Sequence, residues 1–310
     1  MTRFPIEIRS YPAGTTSYEP DGFRRIVADT DNRWSAMTKA FPQLGRFLTS
    51  SSLLIQAYPA ALGISGLMPV VPHALHRPTF VRAIGSAVQE ARPVVLAAQP
   101  LAGADRLLVA VDDGLEFPSE ILWATGGYPL PRSLEGIVRQ RLADRGCTLT
   151  ILHCYGVGEI GHTCFAAIER DEAGDPIFRR LLPGLRIVDQ PLTSDGESIQ
   201  SVLVREDGRR AATGDRWRRL DDGWRLTCGP QRLDPDIEAL LESWGEEEWL
   251  RRTGYLHVAE TPSRKTYFQL RDTTEVSIGR CEMHYHDFAG RFGGTLDVKP
   301  TWGTGRKKTG

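Results

Sequence analysis

The sequence predicts an α/β protein: a mixed, largely parallel sheet flanked by helices, with an appended β-rich subdomain and a small α+β C-terminal domain. Three observations predict it. Near-continuous apolar runs of strand length recur between residues 92 and 156, and helical patterns with proline starts or glycine stops alternate with them. After Gly161 the texture changes to short strands joined by turn-rich segments. With 310 residues, 41% of them hydrophobic and 25% charged, the chain is large and apolar enough to bury such a core.

The elements follow in order. The most apolar stretch, "LLIQAYPAALGISGLMPVV" (53–71), contains Gln56, two glycines and two prolines, so it reads as a buried core segment rather than a bilayer span. A helix is expected over 77–91, and strands over 92–100, 106–113, 120–127 and 148–156. The helix expected over 131–146 opens with Pro131 and stops at Gly146. Further strands are expected at 162–170, 185–192 and 198–206, separated by "DEAGDP" and "TSDGES". "LDDGW" (220–224) marks a hairpin turn, and "DPDIEALLESWG" (234–245) reads as a capped amphipathic helix. A boundary near Gly229 and Pro230 divides residues 1–229, whose β-rich part covers about 162–229, from residues 230–310.

A net charge of −1 and a pI near 6.7 offer no global attraction to nucleic acid or to an anionic membrane, so neither partner is expected. The opening "MTRFPIEIRSYPAG" lacks the apolar core of a secretory signal, which predicts a cytoplasmic protein. Five cysteines, an odd number, fit reduced thiols better than a disulfide framework.

Four short segments carry the chemistry: "YPAGTTSYEP" (11–20), "ATGGYPL" (124–130), "YGVGEIG" (155–161) and "TGDRWRRLDDGWRLTCG" (213–229). A Gly/Thr-rich turn such as 13–16 presents backbone amides that suit phosphate. An acidic residue on a loop after a buried strand, as Glu159 is, suits Mg²⁺, a hard ion that takes few protein oxygens. An aspartate such as Asp215 can accept from two vicinal hydroxyls and clamp a ribose. In this order the segments resemble the adenylate-forming superfamily of acyl- and aryl-CoA synthetases and adenylation domains. The chain looks like a compact, divergent member without the usual N-terminal part.

The resemblance implies roles residue by residue. Gly14, Thr15 and Thr16 cradle phosphates, with Arg24 and Arg25 close in sequence; Gly126 and Gly127 line the pocket for nucleotide and acid. Tyr155 and Gly156 bear on adenine, Glu159 holds magnesium, and Asp215 grips ribose. Arg232 stands nearest to the arginine that the family carries directly after the last glycine, a position held here by Pro230. The last residues, "VKPTWGTGRKKTG", resemble the family's terminal lysine element, with Arg306 at the aligned position and Lys307 beside it. The phosphate loop lacks the family's lysine: "SYEP" follows the two threonines. Either another residue or a partner protein supplies that charge, or ATP chemistry has been lost, because cations neutralise the charge that develops on phosphate.

The implied function is AMP-forming activation of a small carboxylic acid with ATP and Mg²⁺, followed by transfer to CoA, a carrier-protein thiol or an amine; a completing protein subunit is a further implied partner. The alternative is a catalytically degenerate protein of the same fold that acts as a binding or scaffold partner. Two metal readings stand beside these. His153, Cys154, His162 and Cys164 could supply nitrogen and sulfur ligands, but they lack the close pairs of zinc sites, and His153 and Cys154 point to opposite faces of a strand. Cys281, His284 and His286 form a second cluster, with both histidines on one face of an extended segment. A buried, inert thiol is the expectation for Cys164.

Overall fold

The structure, a computed structural model, describes residues 9–10, 26–27, 33–57, 68–72, 74, 76–126, 129–157, 160–191, 199–212, 215–228, 239, 242–247, 256–260, 266–270 and 275–277. Strands β1 (Arg9–Ser10) and β2 (Ile26–Val27) form a short antiparallel pair. Helix α1 (Arg33–Ala40) and a 3-10 helix (Pro42–Arg46) follow, the second started by Pro42, whose fixed φ suits a first turn.

The main sheet has seven strands: β3 (Leu53–Ala57), β4 (Val70–Val71), β5 (Val94–Ala98), β6 (Glu120–Gly126), β7 (Thr148–Val157), β8 (Gly161–Ala167) and β9 (Arg179–Arg180). Their order is β4-β3-β5-β6-β7-β8-β9. The first five are parallel, and β8 and β9 are added antiparallel. Parallel neighbours need crossovers, supplied by α2 (Arg77–Gln89), α3 (Pro100–Asp112) and α4 (Arg132–Ala143). All three helices cover one face. Leu53, Ile55, Leu96, Ile121, Trp123, Leu149 and Ile151 meet Phe80, Ile84, Leu107, Leu134 and Val138 there, while the alternate residues Leu54, Val95, Leu122 and Leu152 pack against Met37, Phe41 and Leu44 on the other. Burial on both faces is what the near-continuous apolar runs required.

One expected strand is a helix. Residues 106–113 lie in the second half of α3 and the turn after it. An apolar run cannot by its hydrophobicity distinguish the two; here Pro100 opens the element, and Ala104, Leu107, Leu108 and Val111 recur with helical spacing on the buried side. The helix lies so close to the sheet that a Cβ at Gly103 would meet the Trp123 ring at 2.4 Å.

Of the expected β-rich part, about 162–229, β8 and β9 extend the main sheet, and the rest forms an antiparallel sheet, β10 (Arg186–Pro191), β11 (Ile199–Val204) and β12 (Arg210–Ala212), and a hairpin, β13 (Arg216–Arg219) and β14 (Trp224–Cys228). Near the C-terminus β15 (Leu256–Glu260), β16 (Thr266–Leu270) and β17 (Glu275–Ser277) form another antiparallel sheet. Of the helix expected over 234–245, the described residues 239, 242 and 243 are helical. Among the described residues no helix is long and apolar enough to cross a membrane.

Candidate functional site

Strand β7 is the spine of the site. Its alternation puts Leu149, Ile151, His153 and Tyr155 on one face in succession. The first two belong to the aliphatic core under the helices; Tyr155 belongs to a second cluster, built from the ends of β7 and β8 and the β-rich part. Tyr155 is 4% exposed, with its ring edge-on to Trp217 at 4.8 Å, to Phe165 at 6.1 Å and to Phe178 at 6.5 Å. Trp217 in turn stacks on Phe165 at 4.7 Å.

The Tyr155 hydroxyl donates to Asp215 Oδ2 at 2.6 Å. Asp215 is 0% exposed, so this is a short bond between a phenol and a fully buried carboxylate. Asp215 precedes β13, and the surrounding backbone holds it: its carbonyl accepts from Ser201 N at 2.8 Å, while Ser201 Oγ accepts from Trp217 N at 3.0 Å and donates to Asp189 Oδ1 at 2.7 Å. Two of the segments singled out in the sequence, 60 positions apart, thus converge on one hydrogen bond. Gly156 follows Tyr155 directly, exposed, at an irregularity in the β7–β8 register. Gly126 ends β6 beside Cys154, and a Cβ there would meet the Cys154 carbonyl oxygen at 2.4 Å, so the close approach of the two strands itself requires a glycine. The described part of the expected site is therefore Gly126, Tyr155, Gly156 and Asp215. Gly14, Thr15, Thr16, Arg24, Arg25, Gly127, Glu159, Arg232, Arg306 and Lys307 lie outside the described residues.

Between the two apolar clusters runs a polar seam. His153 Nε2 stands 3.5 Å from Glu135 Oε2, Arg139 donates to Glu135 Oε1 from Nε at 3.0 Å, and Arg170 pairs with Glu135 Oε2. Burial drives the His153 pKa down, and the Arg170 and Arg139 charges add to that against the pull of Glu135, so the ring is neutral near pH 7. For Glu135, burial raises the pKa, but the His153 hydrogen bond and the guanidinium of Arg170 outweigh it and hold the carboxyl well below the usual carboxylate range. The hydroxyl of Thr125, the neighbour of His153 across β6 and β7, is buried with no hydrogen-bond partner among the described residues. Glu135, Arg139 and Arg170 were not among the expected site residues. The available signal was a carboxylate next to the apolar stripe of Leu134, Val138 and Leu142 on α4.

The cysteines and histidines of this region diverge. His153 faces Glu135, Cys154 packs with Ala124 and Leu152 on the opposite face, and Cys164 is buried in the aromatic cluster. The His162 side chain and Cys281, His284 and His286 lie outside the described residues. Among the described residues no group of three or more His, Cys, Asp and Glu is placed to hold a metal ion. Burial pushes both the Cys147 and Cys154 thiols up to about 12, which keeps them protonated and unreactive at neutral pH.

No family model matches the sequence, and no curated protein matches it. Solved structures do resemble the chain. A mutant form of Coronafacic Acid Ligase from Pectobacterium brasiliense is 11% identical over 66% of this chain and 44% of its own, at a TM-score of 0.39. A long-chain-fatty-acid-CoA ligase (FadD1) from Archaeoglobus fulgidus is 14% identical over 77% of this chain and 53% of its own, at 0.42. CmiS6 is 15% identical over 63% of this chain and 56% of its own, at 0.36. The chain spans about half the length of these proteins.

Proposed function

We propose that the chain activates a small carboxylic acid as its acyl-adenylate at the expense of ATP and passes the acyl group to CoA, a carrier-protein thiol or an amine. The observation that supports this reading is the convergence of Tyr155 and Asp215 near the C-terminal end of β7. The Asp215 carboxylate suits a ribose as an acceptor, because it already accepts a hydroxyl at 2.6 Å. In this reading Asp215 accepts the ribose hydroxyls, Tyr155 and Gly156 flank the adenine, and Gly126 and Gly127 border the acid. Gly14, Thr15 and Thr16 cradle the phosphates, Glu159 holds magnesium, and Arg232 and Lys307 supply positive charge. When bound, Mg·ATP supplies the electrophilic phosphorus and the pyrophosphate leaving group. The test is ATP–pyrophosphate exchange with a panel of aryl and alkyl acids. Exchange with at least one acid is expected; no exchange with any acid, together with no thermal shift from ATP or AMP, overturns the reading.

A second reading, a catalytically degenerate protein of the same fold that serves as a binding or scaffold partner, is favoured by a different observation. The Tyr155 phenol holds the buried Asp215, and aromatic rings surround it, so a nucleotide has to displace Tyr155 from both. Lys39 on α1 is the single lysine among the described residues, which leaves no lysine near this pair in sequence. A thermal shift from ATP or AMP without exchange selects a nucleotide-binding form of this second reading.

A further inference from the structure

Helix α4 has no N-cap of its own. Pro131 occupies the cap position and makes no side-chain cap hydrogen bond, which leaves the first amides of the helix without a local acceptor. The acceptor comes from 110 residues downstream. Glu242 takes the Arg132 amide on Oε1 at 2.6 Å and the Ser133 amide on Oε2 at 2.9 Å, and Oε1 also lies 3.7 Å from Arg132 Nε. Two further contacts hold the same stretch: Trp244 packs against the aliphatic core under the helices, and Glu246 lies 3.7 Å from Arg141 near the other end of α4. A carboxylate on the first turn of a helix combines the hydrogen bonds of a cap with the attraction of the helix dipole.

We propose that Glu242 is the N-cap of α4, supplied by the C-terminal segment, so that docking of residues 242–247 sets the order of the first turn of α4 and of residues 129–131 before it. In the chain this stretch follows Gly126, the last residue of β6, and Gly127. Its relevance to acid binding rests on the function proposed above, whereas the capping does not. The Arg132 side chain donates to the Ala173 carbonyl oxygen at 2.8 Å and Glu135 faces His153 and Arg170, so the other polar contacts shown for this turn are made by side chains, whereas Glu242 accepts from the two backbone amides.

The test is amide hydrogen exchange on the full chain. In Glu242→Ala, exchange at Leu130, Arg132 and Ser133 is expected to rise about tenfold, the size of effect that loss of one cap implies. The amides of residues 139–143 in the last turns of α4 stay protected and thereby separate this change from unfolding. Pro131→Ser added to Glu242→Ala provides a local cap whose hydroxyl accepts from the second amide of the helix, and restores protection at Ser133. Unchanged exchange at those amides in Glu242→Ala overturns the proposal. So does failure of Pro131→Ser to restore protection while the last turns remain protected. None of these measurements uses turnover, so the acid-ligase reading and the cap can fail independently.

Discussion

The two apolar clusters on the helix-covered side of the sheet are built differently. Under α2, α3 and α4 the contacts are mostly aliphatic and gathered around Trp123, and most of the buried residues lie on strands and helices at their periods. At the C-terminal end of β7 the cluster is rich in aromatic rings, and a buried hydrogen bond between Tyr155 and Asp215 runs through it. The first region can be explained as packing alone. In the second, the residues proposed to hold a nucleotide are also structural, so on that proposal binding and stability are coupled there and separate in the first.

Substitutions can break that comparison, the largest effect first. Trp123→Ala leaves a large cavity in the aliphatic cluster, and chemical denaturation should show a loss of about 3–5 kcal/mol. A loss below about 1 kcal/mol would mean that this region is not the stability core. Tyr155→Phe removes the donor from a carboxylate with no exposure and should cost about 1–3 kcal/mol by the same assay. If the site is functional, the same variant also strengthens the thermal shift with AMP, because the ribose no longer competes with the phenol for Asp215.

The polar seam between the clusters predicts a pH dependence. The folded pKa of His153 lies below its ordinary value of 6.5, so the unfolded chain binds more protons as pH falls through that value, and stability drops. Glu135, depressed below 4.5, contributes stability that is present above that pH and lost below it. Both groups act in the same direction. The melting temperature should fall between about pH 7.5 and pH 5.5, and His153→Gln should flatten that part of the curve while the fall below about pH 4.5 persists. The smallest effect is expected at the exposed pair of Arg77 and Asp113, where Arg77→Ala should change stability by less than about 1 kcal/mol.

How much was legible follows from the range of each signal. The strands β5, β6 and β7 and the helices α2 and α4 announced themselves through apolar runs bounded by proline and glycine. Residues 106–113 did not, because a short apolar run serves a buried strand and a buried helix equally well. Helix α1 and the 3-10 helix were not anticipated; in their stretch, "RWSAMTKAFPQLGR", the residues shown to be buried are Met37, Phe41 and Leu44, a weak periodic signal. At the site, Tyr155 and Asp215 were visible as parts of short motifs, but their mutual hydrogen bond was not.

Local patterns in the sequence alone therefore determined the α/β class, the change to β-rich texture after Gly161, and the choice of Tyr155 and Asp215, because periodicity, turn chemistry and short motifs act within a few residues. The tertiary structure alone decided that the phenol of Tyr155 lies on Asp215, that Glu135 gathers His153, Arg139 and Arg170, and that Glu242 caps a helix that begins 110 residues earlier. Apart from the one-turn pair of Glu135 and Arg139 and the exposed bond from the Arg132 amide to Glu242, each of these is a bond between buried or partly buried polar groups far apart in the chain. Such groups pair with whichever partner the packed sheet brings within about 3 Å, and sequence spacing carries no record of that distance.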